Sequence, residues 1–204
     1  MTEPRVPSLA AVMLALATAL IAGCDRVGGV MGLTGTVGAT APQLIGPERL
    51  RVTVPDRGAQ AVLGPVSRTG GVTVWQTLDG ITLAFRDGAL TGTRGLGDDL
   101  MSADVSGDLA MLRGTGPGGH HPHIRSYLDG ENRTVFRSYQ CRRAGTDRDS
   151  GPRGTALRRV AMHCISPRDS FTNVYWLDGA GTVTRSRQWV GPRIGYMETQ
   201  RVAR

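Results

Sequence analysis

Ile81-Thr82-Leu83-Ala84-Phe85-Arg86-Asp87-Gly88-Ala89-Leu90-Thr91-Gly92-Thr93-Arg94 decides the fold class. Apolar and polar residues alternate on both sides of Asp87-Gly88, and that dipeptide tolerates the positive φ angles a two-residue hairpin turn needs. Such a turn pairs Phe85 with Leu90, which places two apolar side chains on one face. Working outward, period-two runs recur at 50–54, 72–78, 124–128, 132–141, 156–165, 171–177, 182–190 and 194–202, each bounded by Gly, Asp or Pro. No long segment repeats apolar residues every three and four positions. Leu-Asp-Gly occurs at 78–80, 128–130 and 177–179 without matching flanks, so it reads as shared turn chemistry and not as a repeat architecture. The expectation is an all-β fold: one antiparallel meander of about ten strands, curling into a barrel or half-barrel.

The N-terminus carries a different signal. Met1-Thr2-Glu3-Pro4-Arg5 is short and polar, Leu9 to Ile21 is apolar, and Leu20-Ile21-Ala22-Gly23-Cys24 follows. The apolar run is too short to span a bilayer and suits a secretory h-region. Ile21-Ala22-Gly23-Cys24 resembles the bacterial lipobox, whose cysteine is acylated and becomes the new N-terminus. The predicted organisation is a signal peptide over 1–23, lipidated Cys24 with a flexible glycine-rich tether over 24–48, and a β-rich domain over 49–204. A strand or docked segment within 37–45 is the alternative for the end of the tether. Lipidation implies a membrane partner reached through acyl chains, each buried methylene contributing about 0.8 kcal/mol.

With Cys24 assigned to lipid, Cys141 and Cys164 remain, and an oxidising compartment makes them one disulfide. Their midpoint falls within the turn-rich Asp149-Ser150-Gly151-Pro152-Arg153-Gly154, so a reversal there sets the two cysteines opposite each other on neighbouring strands. The absence of any Cys-x-x-Cys pair argues against a metal or catalytic role.

The formal net charge is +7, and every residue in the Lys+Arg count is arginine. Export argues against nucleic acid as the partner. Arginine suits carboxylate and phosphate, which points to an anionic glycan or a lipid headgroup, while interleaved Arg and Asp on a solvated surface is the plainer reading. His120, His121 and His123 form the densest metal-like cluster, but they lack a ligand spacing and read as a solvated loop. No G-x-S-x-G supports a serine hydrolase, and no cofactor motif occurs.

Trp75 with Asp87-Gly88 and Thr93-Arg94-Gly95-Leu96-Gly97-Asp98-Asp99-Leu100 resembles the YjbF/GfcB family of exopolysaccharide and group 4 capsule lipoproteins. The lipobox and Tyr139-Gln140-Cys141 fit as well. The resemblance implies an accessory lipoprotein of polysaccharide production or export, not an enzyme, with no catalytic residues to carry over. It places the protein at the periplasmic face of the outer membrane; Asp25 after the cysteine leaves the inner membrane open. Partners would be an anionic polysaccharide or export proteins. Arg94, Asp98, Asp99, Trp176 and Trp189 are the candidate glycan- or partner-binding residues. The alternative is a periplasmic glycan-modifying enzyme using Asp98 and Asp99 as paired carboxylates, against which Gly95 to Leu100 reads as a turn opening a short aspartate-capped helix. Tyr175 and Trp176, adjacent on one strand, must face opposite sides.

Overall fold

The computed structural model describes residues 41–202 apart from residue 117, so the lipobox and Cys24 lie outside the described residues. Residues 41–204 form one compact unit. Its strands are β1 (Arg49–Val54), β2 (Ala59–Thr69), β3 (Val72–Gln76), β4 (Thr82–Arg86), β5 (Ala89–Arg94), β6 (Leu100–Ala103), β7 (His121–Leu128), β8 (Thr134–Ser150), β9 (Ala156–Ile165), β10 (Ser170–Leu177), β11 (Val183–Gly191) and β12 (Gly195–Val202). Among the described residues one α-helix, α1 (Ser106–Leu112), joins β6 to β7.

All twelve strands form one antiparallel sheet in the order β5-β4-β3-β2-β1-β12-β11-β10-β9-β8-β7-β6. The terminal strands β5 and β6 approach each other, so the sheet nearly closes as a barrel. At the seam, a Cβ on Gly92 would lie 3.4 Å from the carbonyls of Leu100 and Met101. Arg94 bridges the gap, its Nη1 donating to Leu100 O at 3.2 Å and its Nη2 to Met101 O at 3.3 Å. Closure of this kind hides the edges of the two outermost strands.

The decisive hairpin forms as expected. Phe85 pairs with Leu90 and Arg86 with Ala89, and Asp87 and Gly88 have φ of 47° and 89°. Two Leu-Asp-Gly turns share one device. Asp129 Oδ1 accepts from the amides of Glu131 and Arg133, and Asp178 Oδ1 from those of Ala180 and Thr182. Cys141 and Cys164 are direct partners on β8 and β9 and form the expected disulfide, their Cα atoms 4.0 Å apart.

Two strands go beyond the expected ten. β2 carries Gly64 and Pro65, and β6 has only four residues. The segment 95–99 is a turn into β6, and the helix lies later, at 106–112, in place of one opening near Asp98.

Inside the barrel, one apolar cluster centres on Leu50, Val52, Leu63, Trp75, Leu83 and Met197. A second is built by α1, which plugs one end: Leu109, Met111 and Leu112 pack on Val160, Met162 and Leu177. The plug is tied to the wall by Arg143 and Arg158, which donate to the carbonyls of Met111 and Leu112. Tyr139, Phe171 and the disulfide form a third cluster.

Before β1 the chain lies along β2. Leu44 covers Gly64, Ile45 N donates to Pro65 O at 2.9 Å, and Glu48 meets Arg68 at 2.8 Å. Residues 44–48 therefore rest on the domain.

Candidate functional site

Strand alternation puts Tyr175 inside and Trp176 outside, as the period requires: Tyr175 is fully buried and Trp176 half-buried. The antiparallel registers then align one row across the outer face: Arg51 opposite Gln200, Gln200 opposite Arg185, Arg185 opposite Trp176, Trp176 opposite Arg159 and Arg159 opposite Asp147. The Arg185 guanidinium stacks 4.0 Å from the centre of the Trp176 ring, with Arg159 6.0 Å away. In the next row Arg187 lies 3.4 Å over the Tyr196 ring. Each such contact contributes about 0.5–1 kcal/mol at an exposed site. The indole N–H of Trp176 donates to Asp149 Oδ2 at 2.6 Å. That bond and the Ser150 amide hold the Asp149 carboxyl below its usual range.

The face is a shallow groove of about 290 Å³ lined by Arg51, Trp176, Arg185, Arg187 and Glu198. Asp147, Asp149 and Glu198 pair with Arg159, Arg185 and Arg187 at 3.0, 3.4 and 3.8 Å. Arg51 is exposed and has no carboxylate partner among the described residues. Exposed pairs of this length contribute only about 0–1 kcal/mol, so an incoming polyanion can exchange for them.

The other sequence candidates do not gather here. Arg94 is committed to the seam. Asp99 closes the 95–99 turn, accepting from Thr93 Oγ1 at 2.7 Å and from the amides of Gly95 at 2.8 Å and Leu96 at 3.1 Å. Asp98 turns away to Arg193, 3.3 Å distant. Trp189 joins an aromatic cluster, 6.2 Å from Phe171 and 5.1 Å from Tyr196 between ring centres. The two adjacent carboxylates thus serve different partners and do not face one another across a cleft.

The histidine segment departs most from its sequence reading. His120 is exposed, but His121 and His123 belong to β7 and are buried, 4% and 2% exposed, on either side of the 1% exposed Asp108 of α1. His121 Nε2 lies 2.8 Å from Asp108 Oδ1 and His123 Nδ1 3.3 Å from Oδ2. Gly107 makes this approach possible, since a Cβ there would lie 2.0 Å from the His121 ring. Burial pushes the Asp108 carboxyl up, yet the two histidine hydrogen bonds and their charge outweigh it and hold the group low. Asp108, His123 and Cys141 bring ligand-type atoms within 4.8 Å of one another. Cys141 is in the disulfide and offers no thiolate, so this donor set does not fit a metal. Its evident work is to lock α1 into the barrel. The interior Gln188 does similar work, accepting from Leu90 N and Tyr175 OH and donating to Gly88 O and Ser186 Oγ.

Residues 43–202 match the model of the family described as "Group 4 capsule polysaccharide lipoprotein gfcB, YjbF". The chain belongs to this family. Among solved structures, the hypothetical lipoprotein YmcC from Escherichia coli K12 is similar, with 19% identity over 77% of this chain and 83% of that one and a TM-score of 0.58. This likeness shows that the two share a fold. A putative exported protein with a YmcC-like fold from Bacteroides fragilis aligns over 80% of this chain and 97% of that one, with 11% identity and a TM-score of 0.29. No curated protein matches the chain. The family is one of capsule lipoproteins, and no helix among the described residues is long and apolar enough to cross a membrane.

Proposed function

We propose that this family member is a non-enzymatic accessory lipoprotein of capsule or exopolysaccharide production that holds an acidic glycan on the outer face of β1 and β9–β12. Lipid on Cys24 keeps the domain at the envelope, on the periplasmic face of the outer membrane, where the polymer passes toward the export proteins. The observation that carries this reading is the single cross-strand row of Arg51, Arg185, Trp176 and Arg159. Arginines meet carboxylates with paired N–H donors, and a flat indole covers the apolar face of a sugar ring. A row perpendicular to the strands fits an extended polymer, with neighbouring strands about 4.8 Å apart.

The test is calorimetry of the domain with polygalacturonate as the acidic probe and dextran as the neutral one. Binding is expected only to the acidic polymer, weakening as salt rises. W176A combined with R185A should weaken it about tenfold, the loss of roughly 1.4 kcal/mol. Equal binding to dextran, or no effect of the double variant, would overturn the proposal.

A further inference from the structure

Of the ten exposed large apolar side chains among the described residues, five share one end of the barrel, while Leu44, Ile45, Val62 and Ile124 lie along its wall. Scattered surface apolar residues carry no message, but a cluster does. The turns 55–58, 77–81, 95–99, 129–133, 166–169 and 192–194 all lie at the end of the barrel opposite the α1 plug, as the strand directions require. At this end Leu78 is 76% exposed on the β3–β4 turn. Leu128, Val135 and Phe136, at 45%, 37% and 68%, flank the β7–β8 turn. Ile165 closes β9 beside them, also exposed. At the plugged end only Val202 among the described large apolar residues is exposed, and the turns there are Gly70-Gly71, Asp87-Gly88, Gly151 to Thr155 and Asp178 to Thr182.

The β7–β8 hairpin also projects. Its partner β9 stops pairing with β8 at Gln140 opposite Ile165, so Thr134 to Tyr139 extend past that neighbour. At the tip Arg133 pairs with both Asp129 and Glu131, which offsets one of the two negative charges there. The chain enters the domain from the same side. Leu44 at Gly64 and Glu48 at Arg68 show it running parallel to β2, so Ala41 points to the end where β2 begins. Cys24 lies 17 positions before Ala41. Even fully extended, that length reaches no more than about 60 Å.

We propose that this end, whose turns also carry exposed Asp56, Arg57, Asp79, Glu131, Arg133, Arg168 and Arg193, is a membrane-facing surface, with Leu78, Leu128 and Phe136 entering the headgroup region of a phospholipid leaflet. The inference rests on the lipid-anchor reading for its setting. With this end on the bilayer, the arginine row, which crosses the strands, runs around the barrel wall above the leaflet and stays open to polymer. Insertion of a few apolar side chains is weak alone and becomes effective when a tether holds the domain nearby.

The test tethers residues 41–204 through an N-terminal histidine tag to nickel-chelating vesicles of phosphatidylethanolamine and phosphatidylglycerol. Hydrogen exchange is then compared with that of the free domain. Amides of 77–81 and 129–137 are expected to exchange about tenfold more slowly on vesicles, and those of 151–155 and 178–182 unchanged. L78S/L128S/F136S, all at exposed positions, should abolish the slowing and keep the thermal transition. Uniform exchange at both ends, slowing at the plugged end, or slowing that survives the triple variant overturns the proposal. So does self-association through these residues in sedimentation, which assigns the surface to a second copy. The tag replaces the natural anchor, so the outcome is independent of acylation at Cys24, which mass spectrometry of the native protein tests separately.

Discussion

The guanidinium of Arg94 reaches across the gap in the barrel wall to the carbonyl of Leu100, joining the two strands that the sheet hydrogen bonds leave apart. A second contact, to Met101 O, makes it a two-point clasp. R94A should cost about 1–2 kcal/mol, since bonds from a charged donor contribute more than neutral ones and partial exposure reduces them. R94K, with a point charge in place of a fork, should recover only part. Denaturant midpoints measure the loss. Hydrogen exchange in β5 and β6 should rise before that of β9 and β10, because the seam opens first. A uniform rise would deny the clasp its role.

Asp108 gives the barrel an acid limit. Its folded carboxyl titrates below the unfolded value near 3.8, because the hydrogen bonds and charge of His121 and His123 outweigh desolvation. A lowered carboxylate contributes stability that is fully present above the unfolded pKa and lost as pH falls through the folded one. The wild-type chain should therefore lose stability below about pH 4. D108A should cost about 3–5 kcal/mol at neutral pH by leaving buried His121 without its hydrogen-bond partner and buried His123 without the carboxylate beside it. D108N should cost less and flatten the acid slope. Chemical denaturation from pH 3 to 7 checks both.

Much of the fold was legible from period and turn chemistry. The 82–94 hairpin declared its register through Asp87-Gly88, and the cysteine spacing around a turn placed β8 against β9. What escaped was set by neighbours, not by the segment itself. β2 holds Gly64 and Pro65 at an irregularity in its pairing with β3, so it lacks the alternation of a strand. β7 begins at His121 with Pro122 inside it. Pro122 is tolerated because β6 pairs with β7 only from Arg125 to Tyr127, leaving no ladder for the missing N–H to serve. Glycines and a proline around three histidines look like a loop, and only tertiary contact with α1 shows that two of the rings are buried. The arginine row was visible only in part. Trp176 stood out as an aromatic, but its alignment with Arg51, Arg185 and Arg159 depends on four registers spanning the chain.

The disulfide closes a loop across a sequence separation of 23. Chain entropy assigns it about 3 kcal/mol, which for a domain of this size is roughly 6–12 °C in the melting temperature. C141A/C164A should fall by that amount in non-reducing buffer and show no further change on adding dithiothreitol. Both cysteines have no exposed surface, so reduction of the wild type should require opening and proceed slowly at neutral pH. A fast reduction, or a double variant as stable as wild type, contradicts this account.

Asp98 and Asp99 separate the binding reading from the enzymatic one. Asp99 accepts three hydrogen bonds, two from amides of its own turn and one from Thr93 of β5, so D99N should lower stability by about 1–2 kcal/mol. Asp98 has one exposed ion pair with Arg193, so D98N should stay within about 0.5 kcal/mol of wild type. In a producing strain, polymer yield should be unchanged by D98N and should follow the amount of folded protein in D99N. Paired-carboxylate hydrolysis requires both groups and predicts the opposite: D98N fully folded, correctly localised and without polymer processing. Glycan composition and yield, measured beside the protein level in the same cells, decide between the two. Loss of processing in a stable D98N protein would return the chain to the enzymes.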